Sequence, residues 1–222
     1  MSDSADRRAF LERMTIGAMA FATTAVPMAD ALAEPGRAHG AVRSPWSDAW
    51  LDKLTGTHKQ FFDAISISDS GMGYAMGFLD LNHEAYGLSD HDLTAVVGLR
   101  HLAMPVGLDD ATWAKYKIGE VFKITDPATK AIATRNPYLR PEGMSFAGSE
   151  IPALMNRGVI FTVCNRALTH MSARLAAGAG VSADVAKQEW TAGLIPGAVL
   201  VPIGVLAVNR AQEKGCTYCY AG

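Results

Sequence analysis

The side chains with the greatest chemical reach in this chain are three cysteines, Cys164, Cys216 and Cys219, and a histidine, His101. Cys164 closes an apolar run, Val159 to Cys164, and stands directly before Asn165, where a helical segment to Gly178 begins. A thiol between a strand and a helix faces the helix's first amides, which favour the thiolate. Such a cysteine serves as a nucleophile or as a carrier of persulfide sulfur. The competing reading is a small, inert residue filling a strand end. His101 follows Arg100 at the end of a second apolar run, Leu93 to Leu99. It reads as a general base, a metal ligand or a hydrogen-bonded structural histidine.

Cys216-Thr217-Tyr218-Cys219 is the other thiol feature. It is not a haem attachment site, because Tyr220 stands where that motif needs histidine. A thioredoxin-type pair opens a helix, whereas only three residues follow Cys219. Zinc needs four ligands, and here two are close together. A metal at Cys216 and Cys219, completed by a histidine, is therefore a minor alternative, and no cofactor is predicted. A local disulfide suits an oxidising compartment. If the segment is a strand, residues three apart face opposite ways and cannot bond to each other. One of them is then available as a resolving partner for Cys164.

Other patterns are weaker. His83-Glu84 has no second histidine four residues on, so it is no metalloprotease motif. Gly71-x-Gly73-x-x-x-Gly77 carries Met76 where a dinucleotide fingerprint needs its third glycine, and reads instead as a close helix–sheet contact. Trp113-Ala-Lys115-Tyr116-Lys117 reads as an anion contact or as a solvated face anchored by its tryptophan. With 20 Lys and Arg against 22 Asp and Glu, the charge makes no case for nucleic acid.

The elements that must position these groups follow from periodicity. Apolar runs of strand length occur at Lys59–Ile67, Leu93–Leu99, Val159–Cys164 and Ala198–Pro202, with a short last strand at Cys216–Tyr220. Between them lie helical patterns. Ser68-Asp69-Ser70-Gly71 caps the first, in which Tyr74, Phe78, Leu81 and Ala85 recur at helical spacing up to Gly87. Further helices are predicted over Asp109–Ile118, from Glu150 to Asn156, and over Asn165–Gly178, Ser182–Ala192 and Val205–Lys214. Residues 121–148, punctuated by Asp126-Pro127, Asn136-Pro137 and Arg140-Pro141, read as a long loop of the lid or oligomer-contact kind. Alternating strands and helices predict an α/β sandwich with a mostly parallel sheet. Ligands gather beyond the carboxyl ends of such strands, where Arg100-His101, Cys164-Asn165 and the terminal cysteine pair all fall.

The amino-terminal region is expected to be an address. Arg7-Arg8-Ala9-Phe10-Leu11 is a twin-arginine pattern, and a weakly apolar stretch from Met14 ends in Ala31-Leu32-Ala33, a cleavage signal. The expected organisation is a signal peptide over 1–33, a flexible leader over 34–49 and one domain over 50–222. A periplasmic protein exported by the twin-arginine translocase follows, with no membrane span once processed.

Three segments resemble the DsrE/DsrF-like family: Gly158-Val-Ile-Phe-Thr-Val-Cys164, Leu194-Ile-Pro-Gly-Ala-Val-Leu-Val-Pro202-x-Gly204, and Arg210-Ala-Gln-Glu-Lys-Gly215. Leu93–Leu99 with His101 is similar to that family's second strand. The resemblance spans about residues 58 to 220 and is strongest from Gly158 onward. It implies a three-layer α/β/α sandwich with a five-stranded sheet, homo-oligomeric assembly, and persulfide carriage on the cysteine matching Cys164. The segment from about Asp109 to Gly148 is an insertion relative to the compact family pattern, and the terminal cysteine pair is an addition. The expected function is periplasmic thiol or sulfur handling at Cys164, with His101, Arg100 and Asn165 around it and Cys216 or Cys219 as resolving partner. The alternatives are a non-catalytic oligomeric ligand-binding module with structural cysteines, and a metal-binding protein.

Overall fold

A computed structural model describes residues 46–222. The signal peptide expected over 1–33 and most of the leader expected over 34–49 lie outside them.

The strands are β1 (His58–Ala64), β2 (Leu93–Leu99), β3 (Ile160–Cys164), β4 (Val199–Val201) and β5 (Thr217–Tyr220). All neighbours pair in parallel, in the order β4-β3-β2-β1-β5. The helices are α1 (Ser70–Tyr86), α2 (Asp110–Lys115), α3 (Ile118–Phe122), α4 (Ile151–Asn156), α5 (Asn165–Ala176), α6 (Ala183–Ala192) and α7 (Gly204–Glu213).

The core lies on both faces of the sheet. Alternate residues Phe62, Val97, Phe161 and Val163 join Met72 and Leu79 of α1, Leu168 of α5 and Trp190 of α6 on one side. Phe61, Val96, Ile160 and Val201 meet Ala207 and Ala211 of α7 on the other, with Trp50 and Leu51 from the turn Ala49–Lys53. Every residue of β2 is buried, as its central place between β1 and β3 demands. Gly98 breaks its apolar run for a steric reason: a Cβ there would stand 2.4 Å from the Phe61 ring. The architecture is thus the expected α/β/α sandwich, with a sheet that is parallel throughout.

Three local expectations are corrected. The first strand stops at Ala64 rather than Ile67, because the Ile65 and Ser66 amides donate to the Gly222 carbonyl instead. Helix α1 ends at left-handed Gly87 as expected, but the stripe that marks it is not the one it buries. Gly71, Met72, Ala75 and Leu79 face the sheet, while Tyr74 is 52% and Leu81 62% exposed. Gly71 allows that choice, since a Cβ on it would already lie 3.1 Å from Ala64 Cβ. Finally, the helix opened by Asp109 stops at Tyr116, and Lys117 adopts φ 50° before α3 begins. That turn is what buries Ile118.

The segment between α3 and α4 is fastened into the domain. Fully buried Asn136 donates from its side-chain amide to the Val106 carbonyl at 2.9 Å and to the Leu108 carbonyl at 2.6 Å. Arg140 pairs with Asp110, and Arg135 pairs with buried Asp126 at 2.6 Å.

Candidate functional site

Because β2, β3 and β4 are adjacent and parallel, their carboxyl ends open side by side. The connections that leave them enclose a cavity of about 340 Å³. Arg100, His101 and Leu102 line it from the end of β2, and Ile203, Gly204 and Val205 from the end of β4. Cys164 sits between them at the end of β3, and α5 completes the wall with Arg166, Ala167, His170, Met171 and Arg174.

Cys164 is the N-cap of α5. Its Sγ accepts the Ala167 amide at 3.4 Å, and only 5% of the residue is exposed. The thiol therefore stands where the helix directs its unpaired amides. Arg100 is fixed beside it by a two-pronged pair with Asp63, Nε to Oδ1 and Nη2 to Oδ2, each 2.6 Å. Tyr218 of β5 donates its hydroxyl to Asp63 Oδ2 at 2.9 Å. Asp63 is almost wholly buried, so both acceptor oxygens need partners, and they have them. The hydrogen bond to Asp63 and that carboxylate's charge raise the Arg100 pKa further, against the opposing effect of burial. Burial, then the bond to Asp63, raises the Tyr218 pKa and keeps its hydroxyl a donor. His101 lies exposed at the rim with φ 46°, a conformation uncommon for a residue with a side chain and often found at functional sites.

The structure thus brings Arg100, His101 and Cys164 together, and separates them from the rest of the expected site. Asn165 does not line the cavity; Arg166 and Ala167 do. The terminal cysteines are farther away. β5 lies three strand positions from β3, about 14 Å across the sheet. Cys219 aligns through Phe62 and Val97 with Phe161, a further ~10 Å short of Cys164 along β3. A disulfide requires Cα atoms within about 7 Å, so neither terminal cysteine resolves Cys164 within one chain. Nor do they pair with each other or share an ion. Cys216 is buried with Trp50 and Ala211 on one face of the sheet, and Cys219 packs on the opposite face. All three thiols are free. Burial pushes the Cys216 thiol pKa up, which suits a packing role. Among the described residues no three His, Cys, Asp or Glu side chains gather as a metal site. No helix among them is long and apolar enough to cross a membrane.

No protein-family model and no curated protein matches this chain. Among solved structures, it is similar to the protein of unknown function MTH1491 from Methanobacterium thermoautotrophicum. That likeness has a TM-score of 0.37 at 13% identity and covers 73% of this chain and 98% of the other. A likeness that weak says nothing about this chain's chemistry.

Two further sequence patterns resolve into structure. Trp113 is fully buried and donates from Nε1 to the Pro105 carbonyl at 2.8 Å, while Lys115 and the Tyr116 hydroxyl both meet Glu189. The segment is a solvated face on an anchored tryptophan. His83, near the end of α1, pairs with Asp90 at 3.1 Å.

The largest part of the site that periodicity arguments missed is cationic. Arg166, His170 and Arg174 occupy positions four apart on α5 and share one face. Arg100, Arg135, Arg140, Arg157 and Arg210 each pair with a carboxylate. Among the described residues Arg166 and Arg174 pair with none, and no carboxylate lines the cavity. The four-residue spacing was visible after Cys164; it goes unnoticed because basic residues on a helix usually mark its wet face.

Proposed function

We propose that this chain is an exported, DsrE-like sulfur-handling protein in which Cys164 accepts sulfur as a persulfide. The observation that carries the reading is the placement of the Cys164 thiol. It caps α5 inside a cavity whose charged lining is entirely basic, next to an arginine held in one orientation by Asp63. In the step envisaged, the Cys164 thiolate attacks the outer sulfur of a donor persulfide, R–S–SH. The donor's S–S bond breaks, R–S⁻ departs, and Cys164 keeps the sulfur as S–SH. No net oxidation occurs, and the positive charges of Arg100 and Arg166 favour an anionic persulfide product. His101, at the rim, would contact the donor.

The test is intact mass after treatment with inorganic polysulfide. The wild-type chain is expected to gain sulfur that a reductant removes, C164S to gain none, and C216S/C219S to behave as wild type. An unchanged wild-type mass, or equal uptake by C164S, overturns the reading.

Self-association belongs to the same proposal. Tyr74, Leu81 and Tyr86 expose apolar surface along α1, which favours an oligomeric module and is read by sedimentation. Export is proposed on Arg7-Arg8 and is tested by whether R7K/R8K retains the protein in the cytoplasm.

A further inference from the structure

The cavity beside Cys164 has a chemical character of its own. Arg166, His170 and Arg174 form a ladder on α5, spanning about 12 Å of helix from first to last. Left empty, the first rung of this ladder is unfavourably placed, because Arg166 stands in the first turn of α5, at the positive end of the helix dipole. Elsewhere in the described chain arginines are neutralised by Asp or Glu, but Arg166 and Arg174 face the cavity without a carboxylate. A cation set against the helix dipole and left without a carboxylate at a pocket marks a binding function.

Apolar side chains complete the lining: Met171 on the same helix as the ladder, and Leu102 and Val205 from beyond the ends of β2 and β4. The lining continues into an adjoining cavity of about 140 Å³ that shares Leu102, Met171 and Arg174 and ends on Val121 and Phe122. At about 340 Å³ the main cavity has the size of a small organic ligand's pocket, with room to spare around a lone inorganic ion.

We infer that this site binds an elongated organic anion that carries a thiol or persulfide sulfur and an apolar chain. The sulfur meets Cys164, a carboxylate or sulfonate meets the Arg166–Arg174 ladder, and the chain lies along Leu102 and Met171 toward Phe122. Only the sulfur end rests on the proposed role of Cys164; recognition of the anion and chain does not.

The experiment is titration calorimetry on C164S, in which persulfide cannot form, with 6-mercaptohexanoate as the probe. Saturable binding is expected, about tenfold tighter than that of 6-mercapto-1-hexanol or of sulfate. R166Q/R174Q in the same background is expected to weaken it by about tenfold while circular dichroism stays unchanged. If that pair fails to fold, R174Q alone is read the same way. Absent binding, equal binding of the neutral alcohol or of sulfate, or indifference to the arginines each overturns the ligand class. Failed binding with intact sulfur uptake by the wild type overturns this inference alone. Binding with no uptake overturns only the reading of Cys164.

Discussion

Gly204 lies directly under the Arg100 side chain. A Cβ at position 204 would stand 2.8 Å from both Cβ and Cδ of Arg100. The first residue of α7 thus shapes the path by which an arginine from the end of β2 reaches the cavity. Its far end is held by Asp63, so Arg100 has little freedom to move aside. Gly204→Ala is expected to lower stability by about 1–3 kcal/mol, as overpacking does, and to slow sulfur uptake by about tenfold or more, since small misplacements at reacting groups are costly. Normal uptake kinetics in G204A would show that the placement of Arg100 does not matter to the chemistry.

The Asp63–Arg100 pair also has a stability consequence. Asp63 side chain is 2% exposed and Arg100 18%. Removing one charge from a pair so enclosed leaves the other inadequately solvated. Asp63→Asn is expected to lower unfolding free energy by about 2–3 kcal/mol. Tyr218→Phe, which removes a single hydrogen bond to Asp63, should lower it by about 1 kcal/mol. Urea denaturation of both variants checks the order. D63N/R100M should recover part of the loss, because no buried charge is then left alone.

Acid should loosen the segment around Asp126 late. The hydrogen bond from Arg135, opposed by burial and helped by the Ala128 and Thr129 amides, holds the Asp126 pKa down to about 2. Its unfolded value lies near ~3.9. A group whose pKa is lower in the folded state contributes stability above its unfolded value, and loses it as pH falls through the folded one. The contribution is therefore complete above about pH 4 and disappears progressively toward pH 2. Arg135→Met, which lets the folded pKa rise toward the unfolded value, should lower stability near neutral pH and make the loss on acidification smaller. Urea midpoints measured along an acid series provide the comparison.

The thiols should differ in reactivity without being bonded to one another. Intact mass under oxidising conditions is expected to show no intrachain disulfide, because β5 and β3 are separated by two strands. In the folded protein Cys216 should alkylate more slowly than half-buried Cys219, since it is buried and its thiol pKa is raised. Peptide mapping after brief iodoacetamide treatment tests the order. Faster labelling of Cys216 would contradict its placement beneath α7.

Much of this was legible in one dimension. The run Leu93–Leu99 has the continuous apolar character of a strand covered on both faces, and it is β2. Asp109 and Ser182 sit at helix starts and cap them through their side chains, as short polar residues do. Cys164 at the junction of an apolar run and a helix was marked by local order alone, and its capping contact is local too, three residues long.

The remainder depended on which strand lies beside which. Strand-end positions of Arg100, Cys164 and Cys219 look equivalent along the chain. Only the order β4-β3-β2-β1-β5 makes the first two neighbours and sends the third to the far edge. The outward turn of Tyr74 and Leu81 likewise follows from the sheet surface that Gly71 and Ala75 can approach, which no periodicity contains. The chain by itself determined the alternation of elements and the thiol at a helix start, because hydrophobic period and capping are short-range. The tertiary structure decided the partners of that thiol. Parallel pairing and strand order set the distances, and only they show that Arg166 and Arg174 face a cavity with no carboxylate to answer them.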